Sequence, residues 1–213
     1  MLFRSLTARD IFRAAYDNRY TWDGNFSGYT ADLELKLGEA IYTGKIRVNP
    51  DLSVEVTGID DEQIQENAYN QMRDIITHRK RTSFEQAHGK NRFNLGAEDS
   101  TGSVAILVEG DAMGSNYKVR GREIAQVSRV MGPIAFTINT EETRQTEEGY
   151  LPCKYSAIFR DPKTGELKGK RDFQEAYEKV GGYYLPIYQA IAERGSEGET
   201  VTIEFKFSNI ELL

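Results

Sequence analysis

The chain has one cysteine, Cys153, among 213 residues, with two histidines, one tryptophan and five prolines. A single cysteine excludes any disulfide within the chain. His78 and His88 are spaced in no common zinc pattern, and Cys153 cannot complete one, so no metal site is expected. Basic excess is missing too: 27 Lys and Arg stand against 33 Asp and Glu, a net charge of −6. That speaks against nucleic acid as a partner, which needs a basic field. No apolar run approaches the ~20 residues of a membrane-spanning helix. The opening Met1-Leu2-Phe3-Arg4-Ser5-Leu6 is too short and too soon charged for a secretory signal. A cytoplasmic protein is therefore expected, or a stromal one if the source is a plant. Gly110-Asp111-Ala112-Met113-Gly114-Ser115 lacks the Gly-Lys-Ser/Thr ending of a phosphate loop and reads as a hairpin turn. Nothing in the residues specifies a cofactor.

What is abundant is alternation. Val201-Thr202-Ile203-Glu204-Phe205-Lys206-Phe207 alternates apolar and polar without a miss, the period of a strand with one face on a core. The parity then slips from Phe205 and Phe207 to Ile210 and Leu212, which predicts a β-bulge at Ser208-Asn209. Leu33, Leu35 and Leu37 alternate likewise, as do Tyr42, Gly44, Ile46 and Val48, and then Leu52, Val54 and Val56. Further strands are expected within 92–95, 104–109, 116–120, 123–130, 134–140, 153–160, 167–177, 183–192 and 201–212. Short turns between them mean antiparallel pairing. The polar, acidic stretch 140–149 reads as an exposed loop.

Helical spacing appears twice. Thr7 and Asp10 form a capping-box pattern ahead of Ile11, Phe12, Ala15 and Tyr16, predicting a helix over 8–18. Ile64, Ala68, Met72, Ile75 and Ile76 predict a second over 60–79, acidic at its start and basic at its end. The expected fold is α+β but β-dominated. It is one domain over 1–213: a strongly curved antiparallel half-barrel of 10–12 strands, two helices on its concave side.

Several side chains are candidates for binding. Arg79 and Arg81, with His88 downstream, could grip a polar headgroup, because Arg offers forked donors. A solvated helix C-terminus explains the same cations. Trp22, Met113, Met131 and Tyr188 are candidates for an apolar wall, with sheet core as the plainer account. Cys153 reads as structural, since no base is evident beside it. No residue set points to catalysis, and an enzyme would need His78 or His88 in a cleft beside a carboxylate.

Two resemblances bear on this reading. Phe12–Trp22, Thr43–Asp51, Thr77–Arg81, Gly110–Tyr117 and Phe205–Ile210 resemble a family of proteins found in cyanobacteria and plastids, over nearly the whole chain from Thr7. That likeness carries no activity with it. A second likeness is to the bacterial outer-membrane lipoprotein carrier, in the Gly44-Lys45-Ile46-Arg47-Val48 strand, Leu185-Pro186 and Phe207–Leu212. It implies the half-barrel fold. Together they suggest a non-catalytic binding protein for a hydrophobic or amphipathic small molecule, lipid or pigment. The alternative is an assembly or scaffold protein, binding another protein or a second copy of itself through an exposed sheet edge or face.

Overall fold

The computed structural model describes residues 6–110, 114–195 and 199–213. Among them the elements run α1 (Ala8–Asp17), β1 (Tyr29–Leu37), β2 (Ala40–Val48), β3 (Val54–Thr57), α2 (Glu62–Thr77), α3 (Phe84–His88), β4 (Arg92–Glu98), β5 (Val104–Glu109), β6 (Asn116–Arg120), β7 (Glu123–Met131), β8 (Ile134–Thr146), β9 (Gly149–Arg160), β10 (Leu167–Val180), β11 (Tyr183–Arg194) and β12 (Thr200–Leu212). The twelve strands follow the order β3-β2-β1-β12-β11-β10-β9-β8-β7-β6-β5-β4 in one sheet, which ends at β3 and β4 rather than closing. The β-dominated α+β fold is as the alternation predicts. The expectation of two helices is corrected to three. The third, α3, opens on a capping box between Ser83 and Gln86 and is only five residues long, too short for helical spacing to reveal.

The chain divides into two compact units. The first holds residues 6–20 and 82–172. Its α1 starts on the Thr7 capping box that the sequence predicts, with the Asp10 N–H bonded to Thr7 Oγ1 at 3.2 Å. Ala8, Phe12, Ala15 and Tyr16 turn inward against Phe84, Ile106, Tyr117, Val119 and Ile124. Residues 140–146 are strand, not loop, and only 147–148 form a turn. β8 continues to Thr146 and pairs with β9 through Arg144↔Leu151 and Thr146↔Gly149. Polar residues on this stretch hide the period-two signal, and register shifts opposite Glu141 and Cys153 break what remains. The same irregularity accommodates Pro152 inside β9. Gly149 has a φ of +135°, and a Cβ there would collide with the Asn18 carbonyl. Glycine thus lets β9 approach the chain after α1, where the Tyr20 N–H donates to Tyr150 O at 2.9 Å.

The second unit holds 21–81, 173–194 and 199–213. Its strands stack in rungs that share one buried face: Val54, Val48 and Tyr29 in one, Val56, Ile46 and Ala31 in the next, then Leu33 with Phe207 and Leu35 with Phe205. The predicted bulge is present. Thr30 pairs with Glu211 but Asp32 with Ser208, and Asn209 takes a φ of +50° while its amide donates to Asp32 at 2.7 Å. Helix α2, capped by Asp61 through the Ile64 N–H, lies against β3 and buries Ala68, Met72, Ile75 and Ile76. It stops at Thr77, two residues before its predicted end, because His78 is the C-cap.

Candidate functional site

That early stop decides the fate of Arg79. Its N–H bonds back to Ile76 O at 2.9 Å, and its carbonyl accepts the Trp22 N–H at 2.9 Å. The side chain is thereby turned inward and is only 5% exposed. The bland reading of Arg79 as a solvated cation on a helix end is overturned by this geometry. Its Nη2 donates to the Tyr177 hydroxyl at 2.6 Å and stands 3.9 Å from Glu175 Oε2. Tyr177 in turn donates to Glu175 Oε2, and Gln189 Nε2 donates to Glu175 Oε1 at 2.7 Å. Gln71 on α2 closes the chain by donating to Gln189 Oε1 at 2.8 Å. Glu175 and Tyr177 are two apart on β10, so they share the face of the sheet that this unit buries.

A chain of five polar side chains therefore runs through the core of this unit, from Arg79 to Gln71. Beside it, Tyr29 is fully buried, and its hydroxyl has no hydrogen-bond partner among the described residues. Burial pushes the Tyr29 phenol far above its ordinary value, and the nearby charge of Arg79 pulls part of the way back. Burial raises Tyr177 in the same way, the Glu175 carboxylate adding to the rise and Arg79 opposing it. Trp22 sits next to this chain. It stacks on Phe26 with ring centroids 4.1 Å apart, and its indole N–H donates to Tyr184 O at 3.2 Å. Buried polar groups that are incompletely satisfied need an explanation, and a ligand is one of a short list.

The other expected site residues are placed differently. Arg81 is exposed, its Nε 3.4 Å from Thr21 Oγ1. Tyr188 stands on the opposite face of β11 from Gln189 and donates to Glu204 Oε2 at 2.9 Å. Burial and that carboxylate raise the Tyr188 phenol, while its hydrogen bond lowers Glu204. His88 belongs to the first unit. It is caged by Phe12, Tyr16 and Phe84 at ring distances of 5.1, 5.0 and 5.5 Å, with Asn91 Nδ2 3.4 Å from its Nδ1. Met131 of that unit is exposed at the β7–β8 hairpin, and Met113 lies outside the described residues. Among the described residues, no group of three or more His, Cys, Asp or Glu could hold a metal ion.

The second unit also carries a groove of about 350 Å³ on its other, polar face, where Asp32, Lys45, Arg47, Glu55, Asn209 and Glu211 meet. Both signs of charge alternate across it, and Lys45 already pairs with Asp32 at 3.3 Å. None of the expected site residues lines it.

The family described as "Protein of unknown function (DUF3386)" matches residues 3–213. The chain belongs to this family. No curated protein matches it. Among solved structures, a LolA superfamily protein from Nitrosomonas europaea is 11% identical over 98% of this chain and 94% of its own, with a TM-score of 0.35. A DUF1329 family protein from Desulfovibrio piger is 8% identical over 96% and 91%, with a TM-score of 0.27. The MucA/MucB complex of Pseudomonas aeruginosa is 12% identical over 96% and 98%, with a TM-score of 0.24. Scores this low decide nothing about ligand or partner.

Of the residues in and beside this buried polar chain, Arg79 and Trp22 stood among the sequence candidates, and Glu175, Tyr177, Gln189, Gln71 and Tyr29 did not. One signal was there to read: Gln189 falls on the same parity as Leu185 and Ile191, both buried. A polar residue on the apolar face of a strand calls for a buried partner.

Proposed function

We propose that the protein is a non-catalytic binding protein for an amphipathic small molecule of lipid or pigment type, whose polar end is met beside Arg79 and Tyr29. The observation that carries this is the fully buried Tyr29 hydroxyl, left without a partner next to a buried ionic chain. Desolvating a hydroxyl without a hydrogen bond costs roughly 1–3 kcal/mol. A buried ion pair is weak evidence for stability, because well-packed apolar groups do as well or better. Both features are costly as pure scaffolding and useful as recognition. Arg79 and Glu175 already balance one another, so the fitting head is a neutral hydroxyl, ester or amide that hydrogen-bonds without carrying charge.

The sheet face of this unit is covered by its own side chains, so a ligand is admitted only if α2 yields. That helix is held by the apolar row Ala68, Met72, Ile75 and Ile76, with the Gln71–Gln189 hydrogen bond as a polar latch beside it. Trp22 then forms part of the apolar wall. Mass spectrometry on the purified protein, native and then after organic extraction, tests the reading. The expected result is a stoichiometric amphiphile that leaves only on denaturation and is absent from Arg79→Met. A clean unliganded mass, with no uptake of added acyl-chain amphiphiles, would sink it.

A further inference from the structure

The first unit carries a surface that the ligand reading does not use. At the β7–β8 turn, Val130, Met131 and Ile134 are 42–53% exposed, with exposed Pro133 between them. Polar turn residues would close this hairpin equally well, so its apolar tip has no structural rationale. Strand register carries it further. Val130 pairs with Ala135, and Ala135 pairs with Arg160 at the end of β9. The Asp161 N–H then donates to Glu166 O at 2.9 Å, which closes the β9–β10 turn and sets Leu167, 55% exposed, alongside Arg160. Val130 and Leu167 thus stand on one face of the sheet end. Met131 and Ile134, one rung on, stand on the other. The tip is a wedge, apolar on both sides.

Its charge differs from that of the chain. Within 157–172 lie five cations, Arg160, Lys163, Lys168, Lys170 and Arg171, against three carboxylates, Asp161, Glu166 and Asp172. Arg129 is half-buried and donates to the Tyr117 hydroxyl at 3.1 Å. All three carboxylates are engaged locally, Asp172 with Lys170 at 2.8 Å. Asp161 accepts the N–H groups of Lys163 and Thr164 at 2.8 and 2.9 Å, and Glu166 pairs with Lys168 at 2.8 Å. A chain of net charge −6 therefore presents one cationic end, and screening within about 8 Å lets that end act locally.

We infer that this paired hairpin end docks on an anionic lipid surface, the wedge entering the acyl boundary and the cations meeting the headgroups. A protein partner would cover one face of a sheet, whereas exposed apolar groups on both faces of a hairpin end suit a medium that surrounds it. The inference does not rest on the ligand reading of the other unit.

Flotation of the full chain with phosphatidylcholine vesicles, with and without phosphatidylglycerol, tests it. Wild type floats with the phosphatidylglycerol vesicles at least about tenfold better, and loses them as salt rises. Met131→Asp with Ile134→Asp abolishes binding, and the milder Met131→Ser weakens it roughly fivefold if the double variant folds poorly. Lys163→Glu with Lys168→Glu removes the preference for anionic vesicles at an unchanged melting temperature. The idea is overturned if wild type stays with neither vesicle, or if the tip variants bind like wild type. It is equally overturned if wild type is a dimer that Met131→Asp splits, because the tip is then a contact between copies.

Discussion

Both units have apolar cores, but the first is closed by rings whereas the second carries a polar chain among its apolar rungs. In the first, α1 and α3 bring Phe12, Tyr16, Phe84 and His88 together as rings against rings, with Phe93 and Tyr117 closing the cluster. In the second, a helix of similar role brings Gln71 onto Gln189, Glu175, Tyr177 and Arg79. Aromatic pairs contribute beyond their buried area and ask for nothing in return. A buried ionic chain must repay the desolvation of each charge, and it rarely gives a net gain. The ring cluster is explained by stability alone. The polar chain invites a functional account.

The largest effects come from breaking each core. Phe12→Ala is expected to cost about 3–5 kcal/mol by opening a cavity among the rings. Arg79→Met is expected to cost about the same, for another reason: it strands the Glu175 carboxylate in the core. The two losses part company on repair. Adding Glu175→Leu to Arg79→Met restores a part of the lost stability, about 1–2 kcal/mol, the rest being withheld because Gln189 and Tyr177 lose their acceptor. Denaturant unfolding of the three variants checks this. A double variant no more stable than Arg79→Met would erase the distinction.

Alkaline pH gives a finer contrast. Tyr29 and Tyr177 ionise in the fold only well above the ordinary phenol value, so the folded state keeps protons that the unfolded chain releases. The stability they support is intact below about pH 10 and falls above it, by up to ~1.4 kcal/mol per pH unit for each phenol. Replacing Tyr177 by Phe is expected to flatten that decline, as read from unfolding free energies between neutral pH and pH 11. An unchanged slope would place the alkaline sensitivity elsewhere.

The smallest effect lies on the surface of the aromatic unit. Arg9 and Glu85 join α1 to α3 at 2.8 Å, with side chains 36 and 55% exposed. Glu85→Ala should cost only about 0.2–1 kcal/mol and less in high salt. A larger loss in thermal unfolding would mean that charge, not ring packing, holds the two helices together.

Much of this architecture could be read in the residues because one physical signal dominates it. Strands such as 29–37 and 200–212 bury one face, so alternation survives, and even the slip at Asn209 was visible as a parity change. The signal failed where both faces are polar, at Thr140–Thr146, and where an element is too short for a period, at α3. The candidate site was harder. Arg79 stood out as part of a basic run, but its burial depends on the chain turning in directly after His78. Its partners Tyr177 and Glu175 lie nearly a hundred residues away, and no local pattern links them. Met131 and Tyr188, picked as pocket walls, are respectively an exposed hairpin tip and a group on the face of β11 opposite Gln189.

The most direct test of the ligand account is Tyr29→Phe, which deletes one buried hydroxyl and nothing else. A fluorescent acyl-chain amphiphile with an amide or hydroxyl head would be titrated into wild type and variant, with unfolding curves taken alongside. The account predicts unchanged or slightly higher stability and binding weakened roughly fivefold to a hundredfold. Equal affinity in the two proteins, or a variant that loses stability without losing the amphiphile, would contradict it.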